Sequence, residues 1–320
     1  MVIENKKIFI TGGAGFIANA LISRLIDNNK IIVYDNFSRD TLTNSGYANH
    51  KNITIIKGDV LDYERLCQSM KNADIVVHAA AITGIDTVKK SPSKTMKVNI
   101  IGTANALEAA KENKIKDRFV AFSSSEVFGN HAFKSSENDY AVAGSIGEAR
   151  WVYGVSKLAC EHLSFSYFKE FGLPVVIIRT FNIYGPGQTG DSAMRAFINI
   201  ALNHEDISIY GDGTQIRAWC YIDDFIDALL LCMESPKAVG ESFNIGNSKA
   251  VITIYGLAQL VCRVLDSKSN ILFKPASSSD IELRIPSVQK AFDILEFEAK
   301  TSLEEGILKT AEWFKNNYMK

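Results

Sequence analysis

Short runs of branched apolar residues alternate along this chain with longer stretches whose apolar positions recur at helical spacing. Residues 8–10, 31–34, 53–57, 75–79, 119–123 and 175–179 read as strands. Their apolar residues are consecutive, not alternate, which predicts strands buried on both faces of a parallel sheet. Residues 16–28, 63–71, 95–113 and 152–171 read as helices. Strand and helix in alternation predict an α/β fold with a doubly wound parallel sheet.

The rhythm changes after Tyr184. Gly185-Pro186-Gly187-Gln188-Thr189-Gly190 is a loop by composition. A short helix (192–203) and a short strand (207–210) follow, then a helix (223–234) and a strand (242–245) expected to return to the main sheet. From Thr253 on the pattern is mostly helical. The expected organisation is a large domain of residues 1–184, with 217–247 returning to it. A smaller, mostly helical C-terminal substrate lobe is expected from 185–216 and 248–320.

Composition narrows the class. The 320 residues are 47% apolar, enough for a large core. Net charge is −1, so neither a nucleic acid nor an anionic membrane surface is an expected partner. No run approaches the roughly 18 apolar residues of a membrane span. The first seven residues lack a signal-peptide core, so a cytoplasmic protein is expected. Five scattered cysteines and five histidines show no metal-ligand spacing. They predict reduced thiols and no metal.

Two distant motifs then point to one reaction. Gly13-Ala14-Gly15-Phe16-Ile17-Ala18 follows a strand and opens a helix. Gly13 suits a tight turn, Gly15 a close backbone approach to a pyrophosphate, and Ala18 close helix–strand packing. The helix N-terminus supplies N–H donors to phosphate. Asp35 ends the second strand, where an acid binds ribose hydroxyls and repels a 2′-phosphate, so NAD is expected as cofactor. Arg39 nearby is the residue that would serve NADP. Asp59, after Gly58, is placed to meet the adenine. Tyr153 and Lys157, four apart, share a helical face. A nearby ammonium would favour the phenolate, which could take a hydroxyl proton as hydride leaves the same carbon. Ser123-Ser124-Ser125-Glu126 stands at a strand end, where ligands of such sheets bind. The Ser124 hydroxyl is placed to bond the oxidised oxygen.

These residues resemble the extended short-chain dehydrogenase/reductase family, the NAD-dependent nucleotide-sugar epimerases, dehydratases and decarboxylases. The resemblance rests on Thr11-Gly12-Gly13-Ala14-Gly15-Phe16-Ile17, Tyr34-Asp35-Asn36, Gly58-Asp59, His78-Ala79-Ala80-Ala81, Val98-Asn99, Ser124-Ser125-Glu126-Val127-Phe128-Gly129, Tyr153-x-x-x-Lys157, Arg179-x-Phe181-Asn182-x-Tyr184-Gly185-Pro186, Gly211-Asp212-Gly213, Arg217 and Phe243-Asn244-Ile245-Gly246. It implies a Rossmann domain whose cofactor site takes in Gly12, Gly13, Gly15, Phe16, Ile17, Asp35, Asn36, Asp59, Val60, Ala79, Ala80, Ala81, Asn99, Ser123, Tyr153 and Lys157. It implies Tyr153 as base, Lys157 as its partner, and Ser124, Ser125 and Glu126 as further catalytic residues. Asn182, Arg195, Arg217 and Arg284 are implied to hold a nucleoside diphosphate sugar, UDP-linked by preference. Relatives dimerise through a four-helix bundle, so a homodimer is expected through 95–113 and 152–171.

Family members share oxidation at sugar C4 and differ afterwards. Dehydratases carry Asp-Glu where this chain has Ser125-Glu126. Ser-Glu, Arg150-Trp151 before the tyrosine, and Arg284 in Arg284-Ile285-Pro286-Ser287 resemble UDP-glucuronate decarboxylases. Chemistry at C5/C6, with decarboxylation its leading form, is the expected reaction. The alternative is a UDP-sugar 4-epimerase. A non-catalytic NAD-binding sensor, which would be expected to lose Tyr153 or Lys157, is the remote third.

Overall fold

The computed structural model describes residues 3–190, 192–275 and 281–318. Among these, seven strands form one parallel sheet: β1 (Lys7–Thr11), β2 (Lys30–Asp35), β3 (Ile53–Lys57), β4 (Ile75–His78), β5 (Arg118–Ser124), β6 (Val175–Thr180) and β7 (Ser242–Ile245). Their spatial order is β7-β6-β5-β4-β1-β2-β3. The chain leaves β1 toward β2 and β3, then returns to β1's other side for β4. A crevice therefore opens where β1 and β4 diverge at their carboxyl ends.

Alternate residues of a strand serve opposite faces. Ile8 and Ile10 of β1 join a core with Val33, Val77 and Val120, under the Phe16–Leu25 helix and the second lobe. Phe9, Ile32, Val76 and Phe119 face the other way, against Leu107 and Ala110. Full burial of such side chains contributes about 1.5–3 kcal/mol each, which fixes the register. The expectation of burial on both faces fails for β3. Ile55 is 40% exposed, because an edge strand has a neighbour on one side only.

The helix expected over 95–113 is not continuous. Pro92–Met96 runs into a π turn, Lys97–Ile101, and then into Gly102–Glu112. A Cβ on Gly102 would stand 2.5 Å from Val60, so the chain passes close beneath the β3 end. The π turn inserts one residue and turns Asn99 inward.

The second lobe is less helical than its pattern predicts. Val251–Thr253, Ile216–Ala218, Leu283–Pro286 and His131–Ser135 form a four-stranded sheet. Its last strand comes from inside the segment expected to belong to the large domain. Ile207–Tyr210 pairs with Ile271–Lys274. Residues 276–280, within the stretch read as mostly helical, lie outside the described residues.

Candidate active site

The glycine-rich turn sits between β1 and the Phe16–Leu25 helix. Gly12, not Gly13, carries the positive φ of the tight turn, +68°. A Cβ there would stand 2.6 Å from the Ala80 nitrogen. Gly13 instead lets the turn lie against Val33, 2.9 Å from a Cβ it lacks. Gly15 caps the helix without a side chain, and a Cβ on it would meet nothing nearer than the Gly12 oxygen at 3.2 Å. The first-turn N–H groups and an open backbone cradle thus face a cleft of about 570 Å³.

Asp35 stands at one end of that cleft, buried. Its Oδ2 accepts from the Ala14 N–H at 3.0 Å and its Oδ1 from Phe37 at 2.7 Å. Burial pushes its carboxyl up, and those two backbone bonds oppose the rise. Each oxygen keeps a second acceptor position. Arg39 also lines the cleft, its guanidinium donating to the Thr83 carbonyl at 2.8 Å and to the Thr87 hydroxyl at 3.3 Å. An acceptor pair and a phosphate cradle together fit NAD. Asn36, Phe16, Ile17, Val60, Ala79, Ala80 and Ala81 also line the cleft. Asp59 does not. Its carboxylate accepts from Leu61 at 3.0 Å and ties down its own turn.

Asn99 and Ser123 lie behind the wall. Asn99 accepts from the Ile82 N–H at 2.8 Å and donates to Ser156 Oγ at 2.9 Å. Ser156 donates to the Tyr153 carbonyl at 2.7 Å. Below this, His78 is buried between two threonines, with Nδ1 2.8 Å from Thr11 Oγ1 and Nε2 3.0 Å from Thr103 Oγ1. The Thr103 hydroxyl donates to the Asn99 carbonyl at 2.7 Å. It must therefore accept from Nε2–H, and Thr11 must donate to Nδ1. Burial, helped by the Lys157 charge, lowers His78 from its ordinary 6.5 to about 3.

The Val152–Phe171 helix brings Tyr153 and Lys157 to the cleft's middle. Its buried residues are Gly154, Ser156, Lys157, Cys160, Glu161 and Ser164, so its small and polar face turns inward. Lys157 donates to the Phe122 carbonyl at 2.7 Å, and its Nζ stands 5.9 Å from the Tyr153 ring centre. The phenol is not lowered. Burial pushes it up to about 12 and the Glu126 charge adds to that, against hydrogen bonds with Thr83 and Ser124. Thr83 was not among the expected site residues. Its signal is its place just beyond the end of β4, at the sheet's switch point.

Ser124 ends β5 and caps the turn Ser125–Phe128, its Oγ accepting from the Glu126 N–H at 3.2 Å. Ser124, Ser125 and Glu126 all line the cleft. The Glu126 carboxylate is held by two guanidiniums. Arg150 donates to its two oxygens at 2.7 and 3.3 Å, and Arg284 lies 3.6 Å away while donating to the Gly129 carbonyl at 2.8 Å. Arg284 thus lies beside Glu126 in the cleft wall. Arg217, also in that wall, is its register partner on the neighbouring strand. Asn182 lines the same wall and donates to the Ala218 carbonyl at 2.8 Å. Arg195 packs instead on Phe314, 5.9 Å from its ring centre, and is not part of the cleft wall.

The profile of the NAD dependent epimerase/dehydratase family matches residues 8–246, which hold both the phosphate turn and the Tyr153 helix. The chain belongs to this family. It is an NAD-dependent enzyme. A UDP-N-acetyl-α-D-glucosaminuronate decarboxylase of Bacillus cytotoxicus is 34% identical over 97% of this chain and 98% of its own length. UDP-glucuronic acid decarboxylase 1 of Danio rerio is 32% identical over 97% of this chain and 73% of its own. Among solved structures, the UDP-glucuronic acid 4-epimerase of Bacillus cereus, with UDP-glucuronic acid and NAD, superposes with a TM-score of 0.87. It is 30% identical, covering 98% of this chain and all of that one. Among the described residues no helix is long and apolar enough to cross a membrane, and no cluster of His, Cys, Asp or Glu could hold a metal ion.

Proposed function

We propose that this enzyme decarboxylates a UDP-linked uronic acid through a 4-keto intermediate. The observation that carries the reading is the Glu126–Arg150–Arg284 cluster beside Ser124 and Tyr153. Two guanidiniums converge on the part of the cleft where C5 and C6 of a sugar oxidised at Tyr153 would lie. Their planar donor forks suit a substrate carboxylate better than a neutral hydroxymethyl group. The decarboxylase relatives support the same choice.

NAD in this cleft would supply a reversible hydride acceptor for C4. The Gly12–Gly15 turn and the Phe16–Leu25 helix end hold its phosphates, Asp35 its adenosine ribose, and Lys157 the ribose beside Tyr153. Tyr153 takes the O4 proton, and Ser124 donates to that oxygen. With C4 a ketone, the C5–C6 bond can break and its electron pair moves through C5 to O4. Carbon dioxide leaves, water gives C5 a proton, and Tyr153 returns its proton to O4 as C4 is reduced. Asn182 and Arg217 meet the diphosphate, where the domain of 1–184 and 217–247 faces a lobe made of 185–216 and 248–320.

The test is product mass after incubation with UDP-glucuronate, UDP-N-acetylglucosaminuronate and UDP-glucose. Loss of carbon dioxide from a uronate is expected. Unchanged mass with inverted C4 would hand the site to 4-epimerisation, the reading that the Bacillus cereus structure favours.

We place the enzyme in the cytoplasm, in keeping with cysteines that are free thiols among the described residues. It acts as a homodimer. The Val152–Phe171 helix leaves Phe165 36% and Phe171 51% exposed, and Ile101 on the neighbouring helical segment is 46% exposed. A second copy covering these helices would bury that apolar strip. A monomeric mass by light scattering at micromolar concentration overturns this.

A further inference from the structure

Arg150 belongs to no expected set of site residues, yet it makes the tighter of the two ion pairs on Glu126. Both of its terminal nitrogens are spent on that carboxylate, at 2.7 and 3.3 Å, against 3.6 Å for Arg284. Its guanidinium lies 5.6 Å from the Trp151 ring centre, and the residue is only 8% exposed. A planar fork with two bonds to one carboxylate fixes orientation as well as charge.

Its place in the chain gives the pair a purpose. Arg150 sits in the turn Ala149–Trp151, which runs directly into the Tyr153 helix. Glu126 follows Ser124 by two residues. The ion pair therefore ties the segment carrying Tyr153 to the strand end carrying Ser124. The backbones also touch there, since a Cβ on Gly154 would lie 2.8 Å from the Glu126 carbonyl oxygen.

We infer that Arg150 is a positioning residue that acts through Glu126, holding its carboxylate toward the sugar carbons next to the oxidised one. The inference deepens the decarboxylase reading and rests on it. Without Arg150 the carboxylate loses the fork that fixes its orientation and keeps only the longer contact to Arg284. Oxidation at C4 uses Tyr153 and Ser124, which the close backbone approach at Gly154 still keeps together, and is spared. The later step is not.

The experiment is a double-mutant cycle of Arg150→Met and Glu126→Gln with a UDP-uronate, read by turnover and by the near-ultraviolet absorbance of reduced nicotinamide. Each single variant should lose turnover by about 100-fold, the scale of a proton-transfer step. Each should still reduce its bound NAD, and the signal should persist. The double variant should lie within about twofold of the worse single one, as expected for residues acting as a unit. Arg150→Lys, which keeps the charge and loses the fork, should recover part of the loss. It also serves as the second variant should Arg150→Met not fold, with NAD retention and melting temperature as the check. Losses that multiply, loss of the first reduction in a folded Arg150 variant, or normal turnover without Arg150 each overturn the inference. The two failures read differently. Decarboxylation by the unmodified protein with multiplying losses sinks the role of Arg150 alone, whereas a product of unchanged mass sinks the decarboxylase reading itself.

Discussion

Lys157 aims its ammonium at the Phe122 carbonyl, 2.7 Å away, and not at the Tyr153 hydroxyl. The lysine therefore anchors its helix to β5, while the phenol stands under the opposing influence of burial. An oxidation site built this way is not charged in advance.

The first prediction follows. Tyr153→Phe should cut turnover by at least ~100-fold with little change in fold. In the unmodified protein the phenol, held up at about 12, must ionise to work, so turnover is lost as pH falls. The pH–rate profile with saturating NAD should show that acid limb well below 12, because the cation of the oxidised nicotinamide favours phenolate. Lys157→Met should move the limb upward. An acid limb unmoved in Lys157→Met would confine the lysine to anchoring.

Asp35→Ala should weaken NAD binding and relax selection against NADP. Both carboxylate oxygens are already fixed by backbone N–H groups, so they face the ribose without further ordering. Arg39 lines the cleft but is held by Thr83 and Thr87, so serving a 2′-phosphate would cost it those bonds. Binding constants for the two cofactors check this, and a native preference for NADP would refute it.

Gly154→Ala sets two effects against each other. Alanine favours a helix by about 1 kcal/mol over glycine. The added Cβ would stand 2.8 Å from the Glu126 carbonyl oxygen, a backbone clash of the kind that costs about 1–3 kcal/mol. Steric cost should win, lowering the melting temperature and, by shifting Tyr153 from Ser124, turnover as well. An equal or higher melting temperature would show that the helix yields at no cost.

His78 makes the fold acid-sensitive. Its folded value, about 3, is below its ordinary 6.5, so the unfolded chain takes up the proton first. This group's contribution is full above 6.5 and is lost as pH falls toward 3, at up to about 1.4 kcal/mol per unit. Denaturant titrations across that window should show a steeper fall in the unmodified protein than in His78→Gln. Parallel slopes would place the acid sensitivity in the carboxylates.

The main sheet was legible because its strands are apolar on consecutive residues, a pattern that long helices do not sustain. The small sheet was not. Val251–Thr253 is half-buried throughout, and in the separate pair of Ile207–Tyr210 with Ile271–Lys274 the residues Leu272 and Phe273 are exposed, so neither period nor composition marks them. Its pairing of His131–Ser135 with Leu283–Pro286 spans a separation that no local pattern reports. Tyr153, Lys157, Ser124 and Asp35 were legible from strand ends and spacing. The partnership of Arg150 with Glu126 was not, since they stand 24 positions apart with the strand His131–Ser135 between them. The Val152–Phe171 helix turns Lys157 and Glu161 inward and leaves Phe165 and Phe171 exposed. Its interior has to meet a cofactor site instead of oil.

The hydrogen bonds around His78 run one way only, from the Ala80 N–H to Thr11, through the imidazole to Thr103, and on to the Asn99 carbonyl. Each hydroxyl spends its proton forward and receives from behind. Trading one member for an apolar residue strands a buried donor or acceptor, at about 1–3 kcal/mol. Trading neighbours together for a matched apolar set costs far less. These positions should therefore drift as a group across distant relatives, a linkage group written in proton direction, even though none of their side chains need touch what the enzyme transforms.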